Sequence, residues 1–75
     1  MELSEAIEVI SADAMEQYEE VRTSGYCNMI DRNCVSDACE LMGHYDLVEI
    51  AEDRKLYAAL LLNYSGLMQH YGIKQ

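Results

Sequence analysis

Leu3-Ser4-Glu5-Ala6-Ile7-Glu8-Val9-Ile10-Ser11-Ala12-Asp13-Ala14-Met15-Glu16-Gln17-Tyr18-Glu19-Glu20-Val21 is the stretch that decides the fold. Leu3, Ile7, Ile10, Ala14, Tyr18 and Val21 recur at steps of three or four, which places them on one face of a 3.6-residue helix. Glu2, Glu5, Glu8, Asp13, Glu16, Glu19 and Glu20 fall on the other side at 100° per residue, with Val9 alone among them. The spacing predicts a first helix over 4–23, with Ser4 as N-cap and Gly25 as the left-handed turn that ends it.

Moving outward, Tyr26-Cys27-Asn28-Met29-Ile30 reads as an ordered loop. Asp31 or Asn33 caps a second helix over 32–42, with Val35, Ala38, Leu41 and Met42 toward the core and Gly43 at its end. Asp46 with Glu49 approximates a capping box for a third helix over 46–53, striped by Leu47, Ile50 and Ala51. Glu52-Asp53-Arg54-Lys55 is a charged break. A last helix over 55–71 carries Leu56, Leu60, Leu61, Tyr64 and Met68, with Gly66 as a point where it bends or ends. The expected fold is all-α, a compact bundle of three to four short helices forming one domain over 1–75.

Bulk composition agrees. The 75 residues include no Pro, Trp or Phe, and six Tyr supply all the aromatic side chains. Few stretches show the β-branched alternation of strands. A chain of this length buries only about 60% of its unfolded surface, but the 51% hydrophobic content suffices for one core. The acidic N-terminus lacks the pattern of a signal peptide. The longest apolar run, Tyr57-Ala58-Ala59-Leu60-Leu61-Leu62, is far short of the ~20 residues that span a bilayer. These features imply a cytoplasmic protein without membrane contact, in which the three cysteines stay reduced.

Fourteen carboxylates against five Lys and Arg give a net charge of −9. Polyanions attract Lys and Arg, so direct binding to DNA, RNA or anionic lipid is disfavoured, whereas a basic protein surface is attracted. The segment 35–52 has the outline of a helix-turn-helix, but Asp46, Glu49, Glu52 and Asp53 stand where a DNA reader needs Arg, Lys, Asn or Gln. Cys27, Cys34, Cys39 and His44 match no zinc knuckle, and Cys34 and Cys39 diverge by about 140° on a helix. No phosphate loop, nucleophile elbow or paired catalytic set accompanies the remaining carboxylates. The reading is a non-enzymatic protein with no metal and no cofactor.

Val21-Arg22-Thr23-Ser24-Gly25-Tyr26-Cys27-Asn28-Met29-Ile30-Asp31 resembles a family of short phage and prophage proteins of unknown function. Their shared segment is R-x-[ST]-G-x-x-N-M-F-D, followed by two or three helices. The resemblance covers about 21–66, through Gly43-His44-Tyr45-Asp46-Leu47-Val48-Glu49 and a helix containing Tyr57. Its most specific part is Gly25, Asn28, Met29 and Asp31. Ile30 departs from the usual aromatic, and the acidic first helix is not part of the shared pattern. The motif also has a structural account: Gly25 ends a helix, Asn28 ties the loop, Met29 and Ile30 plug the core, and Asp31 caps the next helix.

The resemblance implies phage provenance. With the charge, it leads to an expected protein-binding inhibitor of a host nucleic-acid-binding or defence protein, by analogy with small acidic anti-CRISPR and DNA-mimic proteins. Glu5, Glu8, Val9, Asp13, Glu16, Glu19, Glu20 and Tyr26 are the expected partner-binding residues. The carboxylates have few neighbouring cations at i,i+4, so the row costs helix stability. Tyr26 and Tyr45 are the tyrosines expected at an interface. The alternative is an assembly protein that forms a homodimer through its helices.

Overall fold

The run that reads as one helix folds as two. The computed structural model describes residues 1–74, among which there are six helices: α1 Leu3–Val9, α2 Ala12–Ser24, α3 Arg32–Met42, α4 Tyr45–Glu52, α5 Arg54–Leu62 and α6 Tyr64–Tyr71. The all-α expectation holds, whereas three to four helices becomes six because the expected first and last helices each divide. At the first division Ile10 is extended, with φ −116° and ψ 111°. Ser11 then caps α2, its hydroxyl accepting the Ala14 N–H at 3.1 Å. The apolar stripe gave no warning, because Ile10 and Ala14 are fully buried on either side of the break. The bend lets α1 fold back over α5 and α6.

The second division falls at Asn63, not at Gly66. The Asn63 side-chain amide donates to the Ala59 carbonyl at 2.9 Å and to the Met1 carbonyl at 3.1 Å, joining the end of α5 to the N-terminus. Gly66 lies inside α6 beneath Leu3, where a Cβ would stand 2.8 Å from Leu3 Cδ2. Close approach of α1 accounts for that glycine.

α2 packs on α3, α4 and α6, α3 pairs with α4, and α4 leads into α5. Ile10, Met15, Val21, Val35, Cys39, Leu47, Leu60 and Leu67 form the fully buried centre. Leu41 and Met42, expected in the core, are exposed instead, because the buried face of α3 is Val35, Ala38 and Cys39.

Several helix ends are closed by distant side chains. α4 begins after His44, not at Asp46, and His44 supplies no side-chain cap. Gln17 of α2 does so instead: its Oε1 accepts the Leu47 N–H at 3.0 Å while its Nε2 donates to Asp46 at 3.1 Å. Arg32 donates to the Ala51 carbonyl at 2.9 Å at the other end of α4. The Tyr71 hydroxyl donates to the Ile10 carbonyl at 2.6 Å, where α1 stops. These bonds satisfy backbone groups that a helix terminus leaves without partners. Glu2, not Ser4, is the N-cap of α1.

The loop between α2 and α3 follows the structural account of its motif in most respects. Gly25 has φ 73°, the left-handed conformation that glycine tolerates. The Asn28 side chain accepts the Ile30 N–H at 3.0 Å, and Asp31 accepts the Cys34 N–H at 3.2 Å as the cap of α3. Met29 packs against the core, and its carbonyl receives the Tyr57 hydroxyl. Ile30 is the exception: it is 79% exposed and plugs nothing.

Two of the three cysteines are not reduced. Cys27 and Cys34 form a disulfide, and only Cys39 is a free, buried thiol. The left-handed turn at Gly25 and the Asn28 turn fold the loop onto the first turn of α3. That leaves the two Cα atoms 5.9 Å apart, within the span a disulfide bridges.

Candidate functional site

The expected acidic row survives as two short faces. On α1 the buried positions are Ala6 and, just beyond it, Ile10, while Glu5, Glu8 and Val9 point outward. Val9 is 48% exposed, so it is an apolar side chain among carboxylates, as its position in the sequence implied. On α2 the buried face is Ala14, Met15, Tyr18, Glu19 and Val21, and Asp13, Glu16 and Glu20 are exposed. With the break at Ile10 and Ser11 between them, the two groups are no single straight row.

Glu19 has left the row. It is 8% exposed and enters a bonded cluster. Arg22 Nε and Nη2 each donate to one of its carboxylate oxygens at 2.8 Å, a bidentate pair. The Tyr64 hydroxyl from α6 donates to Glu19 Oε2 at 2.6 Å. The Arg22 hydrogen bonds hold the Glu19 carboxyl below its ordinary range, against the opposing effect of burial, with Tyr64 assisting. Burial first and the Glu19 hydrogen bond second push Tyr64 up to about 12. The ring of the buried Tyr18 lies 5.5 Å from that of Tyr64, tilted against it. Glu19 is therefore a strut between α2 and α6, buried where the sequence placed it on the exposed acidic face. An arginine three residues on was visible in the sequence, but Tyr64, distant along the chain, was not.

Glu20 remains at the surface and has one neighbour. His44 Nε2 lies 2.7 Å from Glu20 Oε2 without making a hydrogen bond, and the contact is ionic only when the imidazole is protonated. Among the described residues this contact and the Arg22–Glu19 ion pair are the ones that bring a basic side chain to a carboxylate. Glu5, Glu8, Asp13 and Glu16 therefore have no cationic side chain against them. The Glu5 carboxylate reaches back to the Glu2 N–H at 3.5 Å, a helix-start contact that leaves its charge at the surface.

Tyr26 is separate from both faces. It lies beyond the far end of α2, in the loop after Gly25, and is 61% exposed. Tyr45, the first residue of α4, is similarly open. Tyr18 and Tyr57 are buried, Tyr64 and Tyr71 are half-buried, and the last three direct their hydroxyls to internal acceptors.

Burial alone pushes the Cys39 thiol up to about 11, which keeps it protonated and unreactive. Among the described residues there is no enclosed pocket, and no grouping of His, Cys, Asp and Glu that could hold a metal ion. No helix among them is long and apolar enough to cross a membrane.

Residues 11–63 match the model of a family described as a domain of unknown function, DUF5049, and the chain belongs to that family. No curated protein and no solved structure matches it. The matched residues begin at the cap of α2 and end at the joint between α5 and α6. The Glu19 strut's Arg22 and the whole Gly25 to Asp31 motif lie within them, while Glu5, Glu8 and Val9 on α1 lie outside.

Proposed function

We propose that this chain is a protein-binding module that docks onto a basic surface of its partner through the outer carboxylates of α1 and α2. The observation that carries the reading is that Glu5, Glu8, Asp13 and Glu16 are exposed without cations, with Val9 open among them. Like charges at i,i+3 and i,i+4 on a short helix are unfavourable for folding, so a face kept in that state is explained by what it meets outside the fold. Val9 supplies an apolar anchor and the surrounding carboxylates supply steering and orientation. Glu19 is not part of this surface, and Tyr26 contributes only to a partner that also reaches past the end of α2.

The more specific reading is that the chain is phage-encoded and inhibits a host nucleic-acid-binding or defence protein by occupying its basic channel. Its support is the resemblance of the Gly25, Asn28, Met29 and Asp31 motif to phage and prophage proteins, together with the charge. The division of the row favours two separate contacts on a basic surface over a single groove-length imitation of a phosphate backbone.

Capture from host lysate tests the reading. The tagged chain is immobilised at low and moderate salt, with and without competing DNA, and retained proteins are identified by mass spectrometry. A nucleic-acid-binding protein released by both salt and DNA is the expected result. Retention indifferent to both would refute docking through the carboxylates.

A second reading, a homodimer formed through helices, draws on the open apolar side chains Ile30, Leu41 and Leu62. A strict monomer by light scattering at high concentration removes it.

A further inference from the structure

We infer that α1 is an exchangeable element: two copies of this chain pair by straightening the joint between α1 and α2 and seating each α1 on the α5–α6 face of the other. The inference rests neither on docking through the carboxylates nor on the exposed side chains Ile30, Leu41 and Leu62.

The fold itself shows what fits that face, because α1 already covers it. Leu3 lies on Gly66, the Asn63 amide donates to the Met1 carbonyl, and the Tyr71 hydroxyl reaches the last turn of α1. Ala6 and Ile10, on the inner side, are fully buried. The seat is made by elements far along the chain, so a second copy offers an identical one.

Two hydrogen-bond patterns compete at the joint. A helix running straight through it would send the Ser11 and Ala14 N–H groups to the Ile7 and Ile10 carbonyls. As folded, the Tyr71 hydroxyl meets those two carbonyls at 3.1 Å and 2.6 Å, and the Ser11 hydroxyl accepts the Ala14 N–H at 3.1 Å. Two hydroxyls thus stand in for the helical partners. No Gly or Pro marks the break at Val9-Ile10-Ser11-Ala12-Asp13, and the apolar stripe from Leu3 to Val21 keeps its helical spacing through it. Straightening also adds no like-charge pair at i,i+3 or i,i+4, since Glu8 and Asp13, the nearest carboxylates across the joint, are five apart. The straight form is a single helix over 3–24, about 33 Å long.

A lone copy does not adopt it, because Leu3, Ile7 and Ile10 would lose their cover and the α5–α6 face would be bare to water. A second copy makes good both losses reciprocally, which is the exchange that identical chains allow. The exchanged pair carries Glu5, Glu8, Asp13, Glu16 and Glu20 of each copy on one uninterrupted helix face. Each copy brings a net charge of −9, so salt favours this pairing, whereas it weakens the docking of carboxylates on a basic surface.

The test refolds the full chain at high concentration and follows its mass by light scattering, with nuclear Overhauser contacts measured between isotope-labelled and unlabelled copies. The expected result is a dimer, favoured by salt, with Leu3 of one copy against Gly66 of the other. Ser11→Ala and Tyr71→Phe each remove a hydroxyl that holds the joint bent, twice per dimer, and each is expected to tighten pairing by about tenfold. Ala12→Pro acts in reverse. It falls at the first helical position of α2, where proline is tolerated, and Ser11 before it is already extended, with ψ 164°. Inside a straight helix the same proline removes a hydrogen bond and clashes with the preceding turn. The variant should keep the native melting temperature and lose the dimer.

A strict monomer for both the native chain and Ser11→Ala would overturn the inference. So would a dimer that survives Ala12→Pro, or one in which Leu3 and Gly66 meet only within a single copy. That last result would return the pairing to Ile30, Leu41 and Leu62.

Discussion

Glu16 and Glu19 stand one turn apart on the same helix, and the fold treats them in opposite ways. Glu19 is gripped by Arg22 and Tyr64 and joins α2 to α6. Glu16 points outward and no cation meets it. The two carboxylates differ in whether the core brings a donor to them, and that depends on the packing of α6. The difference separates carboxylates that hold the protein together from those left available to a partner.

Substitution should separate the two sharply. Glu19→Ala leaves the Tyr64 hydroxyl and the Arg22 guanidinium without their acceptor, and is expected to cost about 2 kcal/mol in chemical denaturation. Glu16→Ala should stay within about 0.5 kcal/mol. Equal effects would erase the distinction.

The pH dependence sharpens it from both sides. The Glu19 carboxyl is lower in the folded chain than its ordinary 4.5, so the stability it contributes is present above that value and is lost as the pH falls through the folded value. The melting temperature of the native chain should therefore fall further than that of Glu19→Gln between about pH 5 and about pH 3. Tyr64 is shifted the other way, from 10.0 to about 12, and its contribution is complete below the unfolded value. It is lost as the pH rises through about 10 to 12, a loss that Tyr64→Phe should reduce in thermal melts at alkaline pH.

A loss smaller than that of Glu19→Ala concerns the other role of α2. Gln17→Ala removes the acceptor for the Leu47 N–H at the start of α4 and should cost about 1 kcal/mol, read from the denaturation midpoint.

What could be read in the sequence was whatever is local. Gly25, Gly43 and Asp31 announced helix ends by residue type, and the stripes at Leu47, Ile50 and Ala51 and at Val35 and Ala38 marked the correct inner faces. The break at Ile10 was hidden because the apolar spacing runs through it; Ser11, three residues before Ala14, was the one available signal. Asn63, Gln17 and Arg32 act on backbone groups far along the chain or on helix ends that only the fold brings near. An odd number of cysteines reads as unpaired thiols, and the Cys27–Cys34 bridge is not legible in that count. Their pairing depends on a loop turned back by Gly25 and Asn28. Of the expected binding residues, Glu5, Glu8, Asp13, Glu16, Glu20, Val9 and Tyr26 are where surface residues must be. Glu19 is not, since helical angle alone cannot show that Tyr64 approaches that side.

The most direct measurement takes the partner retained in the capture experiment and titrates it against the native chain and against Glu5→Gln, Glu8→Gln, Asp13→Asn and Glu16→Gln combined, over a range of salt. The account predicts an affinity lower by about tenfold or more, a shallower salt dependence, and a melting temperature no lower than that of the native chain. Unchanged affinity and salt dependence would contradict it, and so would a loss of affinity that only follows a loss of stability.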